Sequence, residues 1–390
     1  MHQTLQGMRV LDVTRLLPGP LCTMYLADYG AEIIKIEDPM LGDYAREMEP
    51  MLAGAGALYQ LLNRGKRSIT LNLQQEEGKE VFRRLAREAD ILVEGFRPGV
   101  MHRLGLDYEA IRHINPRLIY CSVTGYGQSG PYAEKAGHDL NYIGFTGLLH
   151  EAIYAGGHPR AFLPPVQIAD IGAGTLHAVS GILLAVIKRE RTGEGAYLDV
   201  SMTDGVLPFM IPALSYYLAA QETDKATFNP LTGALACYNA YETSDGKWMA
   251  LGALEAKFWC RFCEVAELNN YMPDYWSLDK QTQIKEEVAA YFKKRSAAEI
   301  MDTFAQEDVC LTPVLSIEEA LQDMHLQARG MFAHWDAYPT VTQVKNPLLN
   351  EAMLASQTFP PARGADTEAI LREVGYDANA IQGLKQREVI

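Results

Sequence analysis

Three residues in this chain have surroundings suited to proton or acyl chemistry: His138, Asp170 and Glu255. Asp170 ends the run PPVQIAD, just before Ile-Gly-Ala-Gly and a long apolar stretch that reads as a helix. As an N-cap it would satisfy free backbone N–H groups. As a functional group it would sit where a helix N-terminus also stabilises a developing anion. Gly172 and Gly174 would let a ligand approach the backbone closely. His138 falls in AGHDLNYIGFTGLL, a Gly-preceded apolar helix in which a lone His is more often a satisfied core residue than a catalyst. Glu255, in LGALEAKFW, directly follows an apolar strand, where a helix cap is the plain reading. Arg97 and Arg103 in EGFRPGVMHRLG, with Arg64, Lys66 and Arg67 in NRGKRS, are the densest basic patches before the long helix. They are either solvated faces or holders of phosphate.

Two further patterns invite chemistry and do not support it. Gly125-Tyr-Gly127-Gln-Ser-Gly130 fits GxGxxG and follows a strand, but Pro131 and the polar AEKAG come next. A dinucleotide site needs those glycines to open a helix, so this segment reads as a loop. Cys260 and Cys263 form one CxxC within an amphipathic helix pattern, and no second ligand pair accompanies them. The six cysteines mostly lie in apolar runs, as reduced buried Cys do, and the nine His residues include no HExxH. No metal site is expected.

The elements that must carry these residues alternate between strand and helix over the first 125 positions. MRVLDVT, AEIIKIE, SITLNL, ILVE and LIYCSVT read as strands, with PLCTMYLADYG and EEGKEVFRRLAREAD as helices between them. Apolar β-branched runs alternating with helices imply a parallel sheet of βαβ units. A long apolar helix, GTLHAVSGILLAVIKRERTGEG, ends in basic residues and Gly193. Residues 225–330 read as a smaller domain that opens with a hairpin, CYNAYET and KWMALGAL around SDG, and includes the strand VCLTPVL. A Pro- and Gly-rich tail then closes in a helical pattern.

At 390 residues the chain suits about two or three domains. With 48% hydrophobic and 22% charged residues, it excludes disorder and fibrous architecture. A net charge of -14 argues against a nucleic-acid or anionic-membrane surface, while one local basic pocket is enough to hold a small anion. The uncharged runs 171–187 and 205–221 are short for a membrane span and carry Gly, His or prolines, so they read as buried helices. The N-terminal segment has no basic n-region or long apolar h-region, and a cytoplasmic location is expected.

Taken in order, LQGMRVLDVTRLLPGP, YGAEIIKIEDP, DILVEGFRPGVMHRLGL, NPRLIYCSVTGYGQSGP, AGHDLNYIGFTG and the terminal LREVGYDANAIQGL resemble the class III CoA-transferase family, nearly end to end. Within it, the chain looks closest to the α-methylacyl-CoA racemases. The resemblance implies an α/β fold in which a Rossmann-like large domain joins a smaller α+β domain, two ring-like subunits interlocking as a homodimer. It implies a large CoA-binding domain over 1–200, a linker helix over 201–224, a small domain over 225–330, and a return segment over 331–390 whose last helix packs on the large domain. Asp170 matches the family's active-site aspartate. His138 stands where the racemases carry their catalytic histidine, and Glu255 matches the acid that supports it. The CoA-binding carry-over falls on Leu71, Asn72, Leu73, Gln74, Gly95, Phe96, Arg97, Arg103, Gly137, Asp139, Leu140, Asn141 and Tyr142, and includes His138. Related enzymes often have Arg after KIE, where this chain has Asp38, so Lys35, Arg64 or Arg67 is expected to supply part of that contact.

The activity so implied is racemisation of 2-methylacyl-CoA thioesters through an enolate, with coenzyme A as part of the substrate and no prosthetic group. A base on each face of the α-carbon is required. His138 and Asp170 would fill these places, with the enolate oxygen against backbone N–H groups at the start of the helix after Asp170. One tension follows, since a helix N-terminus lowers a carboxylate's pKa while burial raises it. A CoA-transferase, with Asp170 forming an anhydride and then an aspartyl-CoA thioester, is the alternative, and has no evident use for His138 or Glu255. A non-catalytic CoA-binding protein is a third reading.

Overall fold

The five apolar runs of the first half become parallel strands, joined by a sixth beyond them, in a computed structural model that describes residues 3–154, 163–223, 229–349 and 357–390. They are β1 (Arg9–Val13), β2 (Glu32–Glu37), then, beyond a small hairpin of β3 (Met51–Leu52) and β4 (Ala55–Gly56), β5 (Lys66–Thr70), β6 (Ile91–Glu94), β7 (Ile119–Thr124) and β8 (Ala196–Ser201). Across the sheet they run β5-β2-β1-β6-β7-β8, every neighbouring pair parallel. Counted in chain order, this is three-two-one-four-five-six, the doubly wound arrangement. It opens a crevice at the carboxyl ends of the two strands where the order reverses. Those two strands are β1 and β6.

The chain forms two units: residues 1–146, 164–208 and 324–390, and residues 147–163 and 209–323. In the first, Leu11, Ile34, Leu92 and Tyr120 from the sheet bury with Phe82 and Leu85 of the helix Glu76–Glu88. Ile370, Leu371, Ile381 and Leu384 from the helices Thr367–Glu373 and Ala378–Gln386 complete this core. The second unit holds an antiparallel sheet of β9 (Tyr238–Glu242), β10 (Trp248–Gly252) and β11 (Leu311–Val314). Its core is aromatic: Tyr241 stacks on Phe292 at 5.1 Å and Phe262 on Phe304 at 5.5 Å. Cys263 is buried there and Cys260 half-buried, which makes the CxxC ordinary packing. Among the described residues no His, Cys, Asp and Glu group could hold a metal.

The structure departs from the sequence reading in several places. β8 lies where the periodicity marked no strand, because it is a sheet edge with alternating exposure. A hairpin of β12 (Phe332–Trp335) and β13 (Tyr338–Val344) was also unmarked. The segment read as one linker helix over 201–224 forms the helix Met202–Val206, a 3₁₀ turn and the helix Ile211–Thr223; residue 224 lies outside the described residues. The two apolar runs are not fully buried helices. Leu176, Leu184 and Ile187 of the helix Leu176–Thr192 are exposed, as are Ile211, Leu214 and Leu218 of the later one. The stretch Ile168–Thr192 is long and apolar enough to cross a membrane by length and composition, with 39% of its most apolar window buried. Such amphipathic burial also fits a helix that is packed on one side only.

Candidate active site

A cleft of about 310 Å³ opens at the reversal point of the sheet. Its walls are the loop after β1, from Thr14 to Pro18, the loop after β6, from Gly95 to Pro98, and a third segment holding Gly137, His138 and Tyr142. Asp170 completes it.

The loop after β1 is held from beneath by a buried ionic cluster. Asp12 accepts bonds from Thr14 N–H, Thr14 Oγ1 and Thr23 Oγ1, and pairs with Lys66 Nζ at 3.0 Å. Lys35 Nζ pairs with Asp43 at 2.8 Å and donates to the Thr14 carbonyl at 3.0 Å. Asp43 in turn accepts the Leu16 N–H at 3.1 Å. Burial alone would raise the Asp12 carboxyl, but Lys66, Lys35 and the two threonines hold it well below the usual carboxylate range. Leu16 takes φ +66, a left-handed conformation that a branched residue adopts only where its surroundings impose it. A Cβ on Gly19 would overlap the Thr14 side chain, so the following helix, Pro18–Asp28, closes onto the loop only with glycine there.

On the other side, Glu94 accepts the Phe96 N–H at 2.7 Å and sets the turn that carries Phe96 and Arg97. The glycines of GYGQSG also gain a reason. No helix opens there, and a Cβ on Gly125, or on Gly137, would lie 2.6 Å from Tyr142 Cε1. The glycines make room for a tyrosine whose hydroxyl donates to the Gly137 carbonyl at 2.6 Å.

His138 does not lie inside a helix. It occupies the N-cap position of Asp139–Phe145, where its N–H donates to Asn141 Oδ1 at 3.0 Å, and its ring is exposed toward the cleft. Asp170 is not an N-cap either. It lies in a π-helical first turn, Ile168–Thr175, that runs into Leu176–Thr192. The capping carboxylate is Asp139, whose Oδ1 accepts the N–H groups of Ala169 at 2.6 Å and Asp170 at 3.1 Å. The Ile171 N–H goes to the Gln167 carbonyl. The first N–H groups around Asp170 are therefore occupied, which overturns the expectation that they receive an enolate oxygen. Burial, with Asp139 adding and His138 opposing, pushes Asp170 up to about 6. The tension between dipole and burial resolves toward burial, because a second carboxylate occupies the helix terminus.

The cations expected to hold phosphate sort differently. Lys35 and Arg64 are 0% and 1% exposed; Lys35 is bound in the cluster and Arg64 is forked onto Asp28 with Gln343 beside it. Arg67 pairs with Glu32 and Glu373. None of the three lines the cleft, so they do not stand in for the basic residue missing at Asp38. The cleft instead carries Arg15, Arg97 and Lys135, none of them in an ion pair with a carboxylate among the described residues. Arg15 and Lys135 escaped the sequence reading because isolated cations give no local signal; the TRLLPGP loop after a strand was the available hint.

Of the carried-over binding residues, Gly95, Phe96, Arg97, Gly137 and Tyr142 meet in this cleft with His138 and Asp170. Leu71 is 1% exposed and packs in the core, with Leu73 against it. Asn72 and Gln74 shape the turn after β5 through a Gln74 N–H to Asn72 Oδ1 bond. Arg103 is exposed, Asp139 and Asn141 act as caps, and Leu140 is 44% exposed; these eight lie off the cleft wall. Glu255 belongs to the other unit, at the N-cap position of Ala256–Val265. Its carboxylate is exposed and makes no capping bond, so the plain reading of a helix cap does not hold for its side chain.

Comparison with known proteins gives a consistent picture. The family described as CoA-transferase family III matches residues 5–367. The α-methylacyl-CoA racemase of Homo sapiens is 35% identical over 396 residues, spanning 99% of this chain and 97% of that protein. The succinyl-CoA:glutarate CoA-transferase of Mus musculus is 31% identical, spanning 97% and 88%. Among solved structures, a CAIB/BAIF family protein from Brucella suis superposes with a TM-score of 0.81 at 27% identity, covering 96% of this chain and 100% of that one.

Proposed function

The chain belongs to CoA-transferase family III, and from that premise we propose that it racemises 2-methylacyl-CoA thioesters at the cleft between β1 and β6. The observation that carries this reading is the pairing of a histidine and a raised carboxylate, His138 and Asp170, on one cleft. One of the two takes the α-proton, breaking the C–H bond and leaving an enolate. The other, protonated, delivers a proton to the opposite face. A carboxyl near 6 serves both directions, since it is mostly ionised at neutral pH yet its acid form stays accessible. Arg97 and Lys135, both exposed, suit the CoA phosphates, and fixing that handle orients the reacting carbon.

The test is incubation of one enantiomer of a 2-methylacyl-CoA in D2O without acceptor acid. Deuterium uptake with loss of configuration, absent in His138→Ala and Asp170→Ala, is the expected result. No exchange, together with hydroxylamine-sensitive inactivation by acyl-CoA that needs Asp170 and not His138, would move the assignment to CoA transfer through an aspartyl thioester. The proposal extends to a homodimer, supported by the exposed apolar residues Leu176, Leu184 and Ile187. Sedimentation equilibrium showing a monomer at micromolar concentration would remove that part.

A further inference from the structure

A second cavity, of about 290 Å³, has only Arg97 in common with the cleft among the residues that line it. Glu94, the last residue of β6, lines it. Tyr120 and Ser122 lie two apart on β7 and so share one face of the sheet, and Tyr197 of β8 pairs in register with Tyr120. Tyr108, at the start of the helix Tyr108–Ile114, stacks on Tyr197 at 5.0 Å and meets Tyr120 edge-on at 6.1 Å. Three tyrosine rings thus line the same cavity as one buried carboxyl.

Glu94 is 3% exposed, and no cation stands in ion-pair contact with it among the described residues. It accepts the Phe96 N–H at 2.7 Å and a bond from Ser122, and the charge of Asp199 beside it has the same sign. A carboxylate withdrawn from water with no countercharge is costly until a cation completes it. Tyrosine faces attract such a cation too. Gln128 adds a donor: its Nε2 is buried with no hydrogen-bond partner among the described residues, while its backbone N–H is held by Asp199. An oxygen on the ligand would satisfy that amide. The wall carries Glu94, Asp107 and Glu109 against Arg97 and His102, and His102 is already bonded to Asp107 at 2.6 Å. The excess of carboxylates favours a neutral oxygen over a charged one.

We propose that this cavity binds a small primary amine carrying a neutral oxygen, an amino alcohol, with its ammonium on Glu94 and its oxygen on the Gln128 amide. The site is separate from His138 and Asp170, and it does not depend on which acyl-CoA reaction the cleft performs.

The test is calorimetric titration of the full chain at pH 8 with ethanolamine, ethylamine, ethylene glycol and glycine. Ethanolamine is expected to bind at least about tenfold more tightly than ethylene glycol, as a charge-assisted contact gives. Glu94→Gln should erase that difference. Gln128→Leu should bring ethanolamine down to the level of ethylamine and leave ethylamine unchanged. Equal binding of ethanolamine and ethylene glycol, or ethanolamine binding untouched by Glu94→Gln, would overturn the assignment. Loss of ethanolamine binding in Asp170→Asn rather than in Glu94→Gln would overturn it by placing the amine in the cleft. Tighter binding of glycine than of ethanolamine would overturn the choice of a neutral oxygen, and a wild type that binds no ethanolamine would remove the site altogether.

Discussion

Asp12 and Asp170 are two carboxylates withdrawn from water in the same unit, and their surroundings drive them in opposite directions. Asp12 is 0% exposed, bonded by three groups from two threonines, and faces Lys66 and Lys35. Every favourable contact is made to its charged form, so it stays ionised and holds the loop after β1. Asp170 has no cation in ion-pair contact with it among the described residues, and its carboxyl shares its surroundings with the like charge of Asp139. The lesson is that burial alone does not decide which way a carboxyl shifts. The number of contacts that stabilise the anion does.

Replacing Asp170 should break the comparison most visibly. Asp170→Asn is expected to lower turnover by about 10³-fold, within the range for a lost acid–base group. The same change should not destabilise the fold at pH 8. A carboxyl whose folded pKa is raised to about 6 favours the folded state below about pH 4, and that contribution is lost as pH rises through 6. The variant should therefore gain about 2 kcal/mol over wild type at pH 8 in urea melts, once partial exposure is discounted. A loss of stability at pH 8 would contradict this account of the site.

Asp12→Asn should do the reverse. It leaves Lys66 buried without its carboxylate partner, while Lys35 keeps Asp43, which costs about 3–5 kcal/mol. Because Asp12 is depressed, its stabilisation is present above about pH 4 and drains away as pH falls below that value. Urea midpoints for the two variants across pH 3–8 should therefore diverge in sign.

Glu94 sharpens the contrast with the smallest effect. Burial raises it to about 7; the Ser122 and Phe96 bonds oppose this and Asp199 adds to it, yet it does not line the cleft that holds Asp170. A raised acid therefore also arises where no reaction is proposed. Its contribution is present below about pH 4.5 and lost as pH rises through 7, so Glu94→Gln should flatten the stability profile by about 2 kcal/mol between pH 5 and 8. Turnover should survive, because the amide oxygen still accepts the Phe96 N–H. Loss of turnover as large as that of Asp170→Asn would erase the distinction drawn here.

Much of this is legible in the sequence. The runs around β1, β2, β5, β6 and β7 read correctly because alternating strand and helix periodicities are local. The hairpin of β9 and β10 read correctly because its turn chemistry is local too. β8 did not, since an edge strand with one exposed face follows no long apolar run. His138 and Asp170 stood out by residue type and neighbours, whereas the split between paired and unpaired cations was invisible. Nothing local to the chain separates Lys35, Arg64 and Arg67, which are ion-paired, from Arg15 and Lys135, which line the cleft.

The sequence by itself determined the βαβ character of the first unit, the hairpin of the second and the end of the long apolar helix at Gly193. These depend on spacing along the chain. The order of strands that puts the ends of β1 and β6 at one crevice was decided only by the tertiary structure. So were the capping of Asp170's helix by Asp139, the raised carboxyl and the solitary Arg15. Each depends on which distant residues share a low-dielectric interior, and desolvation and ion pairing are properties of that neighbourhood rather than of any segment.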